Sequence, residues 1–222
     1  NASSPTSRGS GAAGSTWDSN IDSGDGGGAV KLTVNQSFVF DGLISVKGGD
    51  GGGASGRGLG GGSGGSIWII AHNFTGNGNL SATGGEGLDS TNNGGGGGGG
   101  RIAVHYNLTN YAEPHISAVL RGEASDGAEN GTNGTIEFLD KAAPIITIGY
   151  PTNGSSIPGS FVVTVNWTYV DNNLTNCFYH INQNTTNTTI NCSLNETNVS
   201  VYKGQYNNFT IYLNDSDGNI GS

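Results

Sequence analysis

The chain has no methionine, two cysteines, five prolines, and 8 Lys and Arg among 222 residues. Each shortage excludes something. A chain without methionine does not start at a translation start, so a mature product or an internal piece is expected. Nucleic acid needs clustered Lys and Arg to meet its phosphates. A net charge of -9 with no basic patch excludes that partner. The longest apolar run, IWIIA at 67–71, falls far short of the ~20 residues of a membrane-spanning helix, so no membrane span is expected in this chain. Few prolines and no strict Gly-x-y triplet exclude collagen. Charged residues are scarce too, at 11%, whereas disordered chains pair low hydrophobicity with high charge. A folded chain of one large or two smaller domains is expected.

Asparagine is abundant. With 27 Asn and 43 Ser plus Thr in 222 residues, chance gives roughly five Asn-x-Ser/Thr acceptors for N-glycosylation. The chain has 17, at Asn1, Asn35, Asn73, Asn79, Asn107, Asn130, Asn133, Asn153, Asn166, Asn173, Asn184, Asn187, Asn191, Asn195, Asn198, Asn208 and Asn214. The excess points to covalent N-glycans and a secreted, cell-surface location. The alternative is accidental sequons in a strand protein rich in Asn and Thr. Cys177 and Cys192, 15 residues apart with no His spacing that completes a zinc site, form either a disulfide or two inert buried thiols. A disulfide agrees with an oxidising compartment.

Glycine supplies the repeat. The stretch NNGGGGGGGRIAVHY (92–106) sets seven glycines against a strand-like run. The same small-small-x-apolar-x-apolar pattern recurs in GGAVKLTV, GGSIWIIA, GGRIAVHY and NGTIEFLD. Its anchors Val30, Ile67, Ile102 and Ile136 stand 37, 35 and 34 residues apart. A second strand follows the first three, anchored at Ile44, Leu80 and Ile116, each 36 apart. Glycine-rich stretches (48–65, 84–100 and 122–134) close each repeat. A linker has no reason to recur in register with strands, so a stacked β-solenoid over 24–141 is expected, after a Ser/Gly-rich segment at 1–23. Ile67, Ile69, Ile102 and Val104 would face its core. Ordering glycine costs backbone entropy. Polyglycine-II-like stacking, at about three residues per turn, offsets that cost through backbone hydrogen bonds between repeats. Disordered loops between ordered strands are the alternative.

GGSIWIIAHNFTGNGNLSATGGEG followed by GGGGGGGRIAVHYNLT resembles the glycine-rich parallel β-helix-like repeats of large secreted surface proteins of archaea and bacteria. The resemblance implies an adhesin or a structural envelope component.

After Pro144 the glycine stretches stop, and alternating runs appear at 145–150, 160–169, 177–182, 197–202 and 208–215. Their turn-separated spacing predicts an antiparallel sandwich over 144–222. APIITIGYPTNGSSI, VDNNLTNCFYHIN and the C-terminal NCSLNETNVSVYKGQYNNFTIYLNDSDGNIGS look like the immunoglobulin-like repeat of archaeal and bacterial surface proteins. That resemblance implies a Cys177–Cys192 pair, a corner at DSDGN (215–219) and an archaeal source. The final apolar strand of the family pattern is not obvious here, so an open edge is expected beside 208–213, and open edges invite another chain.

Catalytic and ligand chemistry finds little. Asp50 and Glu86 occupy equivalent places in GGDG and GGEG, and with Arg57 or Arg101 nearby they are the one carboxylate pair for a polysaccharide lyase or hydrolase. The plainer reading is that they solvate a turn. The four His fall at non-equivalent points of the repeats, so no metal cluster follows. Asp171, Asp215, Asp217 and Asn219 make a candidate calcium site, since hard cations want several oxygens, although DSDGN also reads as an ordinary turn. Trp17, Trp68, Trp167 and the tyrosines are either a sugar-stacking surface or core and subunit contacts.

An all-β chain of glycine-rich solenoid and immunoglobulin-like sandwich is therefore expected, with no enzyme activity. Its expected role is a glycosylated filament, sheath or surface layer built from copies of itself. The rival is the stalk of an adhesin that meets carbohydrate or other cell surfaces.

Overall fold

The structure, a computed structural model, describes residues 2–13, 22–54, 56–109, 119–124, 127–157, 161–171, 173–182 and 186–222. The described residues are all β, without a helix. The chain divides after Asp140 into two compact units.

The first unit holds β1 (Ala29–Val39), β2 (Leu43–Ser45), β3 (Gly53–Ala54), β4 (Arg57–Gly58), β5 (Ser66–Thr75), β6 (Asn79–Ser81), β7 (Arg101–Thr109) and β8 (Thr135–Asp140). β1, β5, β7 and β8 form a four-stranded sheet in that order, with all pairs parallel. The register is the one that the repeat dictates: Val30 faces Ile67, Ile67 faces Ile102, and Ile102 faces Ile136. Successive strands are thus successive repeats, here called tiers one to four. β2 pairs in parallel with β6, placing Ile44 against Leu80. The third anchor of that series, Ile116, lies outside the described residues. β3 and β4 make a short hairpin inside the first glycine stretch, where no strand was expected.

Alternation along each strand sends one side chain in two toward the core. Ile67, Ile69, Ile102, Val104, Leu80 and Phe74 are fully buried there, as expected for the first four. Val46, Ala82 and Phe40 close the far side. At ~25 cal/mol per Å² of apolar surface this core is the main driving force of the unit. No single repeat buries such a face alone.

The second unit holds β9 (Ile145–Tyr150), β10 (Val162–Val170), β11 (Leu174–Ile181), β12 (Thr188–Ile190), β13 (Glu196–Ser200), β14 (Phe209–Asp215) and β15 (Ile220–Gly221). They form two antiparallel sheets, β13-β10-β9 and β12-β11-β14-β15. Val163, Val165, Trp167 and Val199 from one sheet pack with Cys177, Ile211 and Leu213 from the other. The Cys177–Cys192 disulfide is formed, with Cα atoms 5.3 Å apart. It ties β11 to the segment that leaves β12.

One sequence expectation needs correction here, and one pair of alternatives is decided. A final strand does exist: Ile220 and Gly221 pair with Asn214 and Leu213. The side of β14 away from β11 is therefore open only at Phe209–Tyr212, among the described residues. Two residues carry too little pattern to read as a strand. Trp167 is no sugar platform, because alternation on β10 turns it into the core at 2% exposure. Trp17 lies outside the described residues.

Candidate functional site

The glycine stretches form ordered arms. Each tier has one arm before its long strand (24–28, 60–65, 94–100 and 129–134) and another after its short strand (46–52, 82–88 and 119–123). Like arms bond from tier to tier every third residue: Gly61 N donates to Gly95 O at 3.0 Å and Gly64 N to Gly98 O at 2.8 Å. The second arms do the same, with Gly48 N to Thr83 O and Gly51 N to Glu86 O. The second arm of one tier and the first arm of the next run antiparallel, again bonded at every third residue. Gly97 N reaches Gly85 O at 2.9 Å, and Gly100 N reaches Ala82 O at 2.7 Å. A chain with three residues per turn presents three such rows.

Glycine is required because the arms approach backbone to backbone. A Cβ added at Gly97 would stand 2.0 Å from Gly62 O, and one at Gly96 the same distance from Gly122 O. Beyond Val46 and Ala82, which enter the core where the second arms begin, side chains such as Asp50, Glu86 and Glu123 stand where a row faces outward, all exposed. Residues 7–12 add a further extended segment on the outside of the first arms. Gly9 N donates to Gly27 O, Ala12 N to Gly24 O, and Ser63 N to Ser10 O.

Asp50 and Glu86 do come together, but as neighbours in a hydrogen-bond row. Asp50 Oδ1 accepts the Glu86 N–H at 2.8 Å, and Lys47 Nζ lies 2.9 Å from the same carboxylate. The Glu86 N–H and then Lys47 hold the Asp50 carboxyl below its ordinary value of 3.8. A general acid needs the opposite shift. Arg57 sits on β4 and Arg101 opens β7; Lys47 is the cation on Asp50.

The residues named for calcium share one corner. Asp215, 5% exposed, accepts Asp217 N–H and Asn219 N–H at Oδ1 and the Asn219 amide at Oδ2. Ser216 N–H bonds Asn173 O, which brings the 171–173 loop alongside, where Asp171 caps Asn173 N–H. Asp215 thus spends its oxygens on its own turn. Among the described residues no three His, Cys, Asp or Glu converge as a metal site.

Of the acceptor asparagines, Asn1 and Asn184 lie outside the described residues. Asn35, Asn130, Asn133, Asn153, Asn166, Asn173, Asn187, Asn191, Asn195, Asn198 and Asn208 are exposed. Asn73, Asn79, Asn107 and Asn214 are half-buried, and none is fully buried. Several are held through Oδ1 and not through the Nδ2 that takes sugar. Asn130 caps Ala124 N–H, Asn133 caps Arg121 N–H, Asn191 caps Ser193 N–H, and Asn198 accepts the Thr164 hydroxyl. That geometry leaves the modification chemistry open.

Tyr212 is one of the tyrosines read from the sequence as either a sugar-stacking surface or a core or subunit contact, but its partners Phe178 and His180 escaped that reading. Phe178, His180 and Tyr212 project from the outward side of the sheet β12-β11-β14-β15. Phe178 and Tyr212 stack at 5.0 Å with an interplanar angle of 17°, and His180 lies 5.0 Å from Tyr212. The signal was present: Phe178 and His180 are two apart on β11, with Tyr212 opposite Phe178 on β14. Trp68, by contrast, is covered by Lys31 Nζ, 4.0 Å over its ring.

Comparison of the chain with protein-family models, curated proteins and solved structures returned no match.

Proposed function

We propose that this chain is a non-enzymatic structural subunit of an extracellular, N-glycosylated filament, sheath or surface layer. In this reading the first unit is a glycine-rich β-solenoid with polyglycine-II-like arms. The second is an immunoglobulin-like sandwich, and copies join by strand complementation. The observation that carries the reading is the uncompleted side of β14 at Phe209–Tyr212, beside a β15 of two residues. Such an edge templates another strand, and a head-to-tail contact of that kind does not close, so it gives fibres. β1 and β8 end one parallel sheet among the described residues, and their outer sides offer a second such contact. Asp25 occupies a row that is glycine in later tiers, at Gly62 and Gly97, so strands rather than arms would make that joint. Fifteen acceptor asparagines at exposed or half-buried places support a glycan coat, and the disulfide supports an oxidising location.

Cryo-electron microscopy of the native material tests this. A strand from another copy beside Phe209–Tyr212 is expected. Separate particles, with that side completed by the same chain running past Ser222, would sink the reading.

A second reading, the stalk of a cell-surface adhesin, draws on the Phe178, His180 and Tyr212 face. Flat aromatic faces stack on the C–H side of sugar rings. Glycan-array binding that is lost in Tyr212→Ala would favour it, and no binding by the intact chain would remove it.

A further inference from the structure

Glycines run without a break from 94 to 100, and the contacts inside the chain require only some of them. At Gly94, Gly96, Gly97, Gly99 and Gly100 an added Cβ would stand 2.0 Å from a carbonyl oxygen of another arm. Gly95 and Gly98 are different. An added Cβ would meet nothing nearer than 3.3 Å at Gly95 and 3.8 Å at Gly98. Neither has the positive φ that excludes other residues. Both lie in the outward row, which elsewhere accepts side chains: Ser63 is the residue one tier before Gly98.

The equivalent place between tiers one and two shows what such a row can hold. There residues 7–12 lie along the first arms, bonded at Gly24 O, Gly27 O and Ser63 N. The repeat carries those three groups onto Gly61 O, Gly64 O and Gly98 N, which have no hydrogen-bond partner among the described residues. The same holds one tier further, at Gly96 O, Gly99 O and Thr132 N. The result is a strip with donors and acceptors in a three-residue row, uncharged along Gly95 and Gly98 and carrying the exposed Glu129 one tier further. The outward row of the second arms carries Asp50, Glu86 and Glu123 instead. For a chain with net charge -9, this row, with Glu129 alone against the three carboxylates of the second arms, is where two copies approach with less repulsion.

We propose that the strip along Gly95 and Gly98 docks a second copy of this chain, whose own 94–100 arm runs antiparallel across it. A strip that holds both donors and acceptors is self-complementary about a twofold axis. Antiparallel arms already bond this way inside the chain, between one tier's second arm and the next tier's first, as Gly97 N to Gly85 O and Gly100 N to Ala82 O. The backbones would close to the same distance, which explains glycine where the single chain has room for a side chain. The contact is lateral and independent of strand complementation, so it goes beyond the function proposed above.

Sedimentation velocity and cryo-electron microscopy on the full chain test it with three variants: Gly98→Ala, Gly98→Glu and, on the charged face, Glu86→Ala. The wild type and Glu86→Ala are expected to pair laterally. Gly98→Ala and Gly98→Glu should weaken that pairing at least tenfold, leaving single copies, or unpaired filaments if strands also join copies end to end. Melting temperature of the single chain should not fall in Gly98→Ala. Pairing that persists in both Gly98 variants, wild-type images with no chain against Gly98, or a large loss of stability in Gly98→Ala would each overturn the proposal. Filaments that stay intact but lose their lateral pairing would separate this contact from the strand joint.

Discussion

Two neighbouring glycines should respond to the same substitution with opposite sign. At Gly97 an alanine Cβ would stand 2.0 Å from Gly62 O, whereas folded proteins keep such atoms at least about 3 Å apart. One arm must therefore move by roughly 1 Å. The bonds that converge there are Gly97 N to Gly85 O at 2.9 Å, Gly85 N to Gly62 O at 2.8 Å and Gly122 N to Gly97 O at 2.7 Å. Lengthened by ~1 Å they pass beyond hydrogen-bonding range. Losing two or three of them at ~0.5–1.5 kcal/mol each, with some groups left unsatisfied, costs about 2–5 kcal/mol. The entropy that alanine removes from the unfolded chain returns only ~0.4–1 kcal/mol. Gly97→Ala should then lower the melting temperature of the first unit by about 2–18 °C, at roughly 2–4 °C per kcal/mol. At Gly98 only the entropy gain remains, so Gly98→Ala should hold or raise it by ~1–3 °C. Differential scanning calorimetry, dilute enough to keep single copies, reads both. Equal losses at the two positions would refute the alternation of inward and outward rows.

The remaining expectations concern charge, cross-link and corner. Asp50 contributes stability that is present above the ordinary carboxylate range, because its folded pKa is lowered. That contribution is lost as pH falls below 3.8 and is absent in Asp50→Asn; a carbon NMR titration with a midpoint at or above 3.8 would contradict it. Replacing Cys177 and Cys192 together by Ser should cost the second unit ~3 kcal/mol, the entropy of a loop of about 15 residues. The calorimetric transition of the first unit should stay in place. Asp215→Ala should destabilise the second unit by about 2 kcal/mol or more, since hydrogen bonds to a charged group are worth ~1.5–3 kcal/mol. Millimolar calcium should leave the wild-type melting temperature unchanged, and a rise with calcium would restore the metal reading of that corner.

Much of the first unit was legible because its repeat is carried by identities. The anchors Val30, Ile67, Ile102 and Ile136 are spaced by the tier length, and stacking turns that spacing directly into register. The glycine arms were legible for the same reason: nothing but close backbone approach explains glycine in register with strands. Other features depended on tertiary context. β15 has only two residues, too few for alternation to show, and β12 is three residues inside a Thr-rich segment. Trp167 and Tyr212 both lie on alternating strands, and only the pairing of the sheets decides which face each one sees. Asp215 read both as an ordinary turn and as a candidate calcium ligand, because acidic turns and calcium loops share a composition. The three amide donors that converge on it come from local backbone geometry that the residue types leave open.

The arms have one further consequence, for temperature. Apolar burial weakens on cooling, and it is the main source of the heat capacity of unfolding. Layers joined by main-chain hydrogen bonds, with no side chains between them, expose little apolar surface when they separate. Their share of the heat capacity should be small, which flattens the stability curve of the first unit. Cohesion that comes from the backbone persists in cold water, where a core of leucine and isoleucine loses part of its grip.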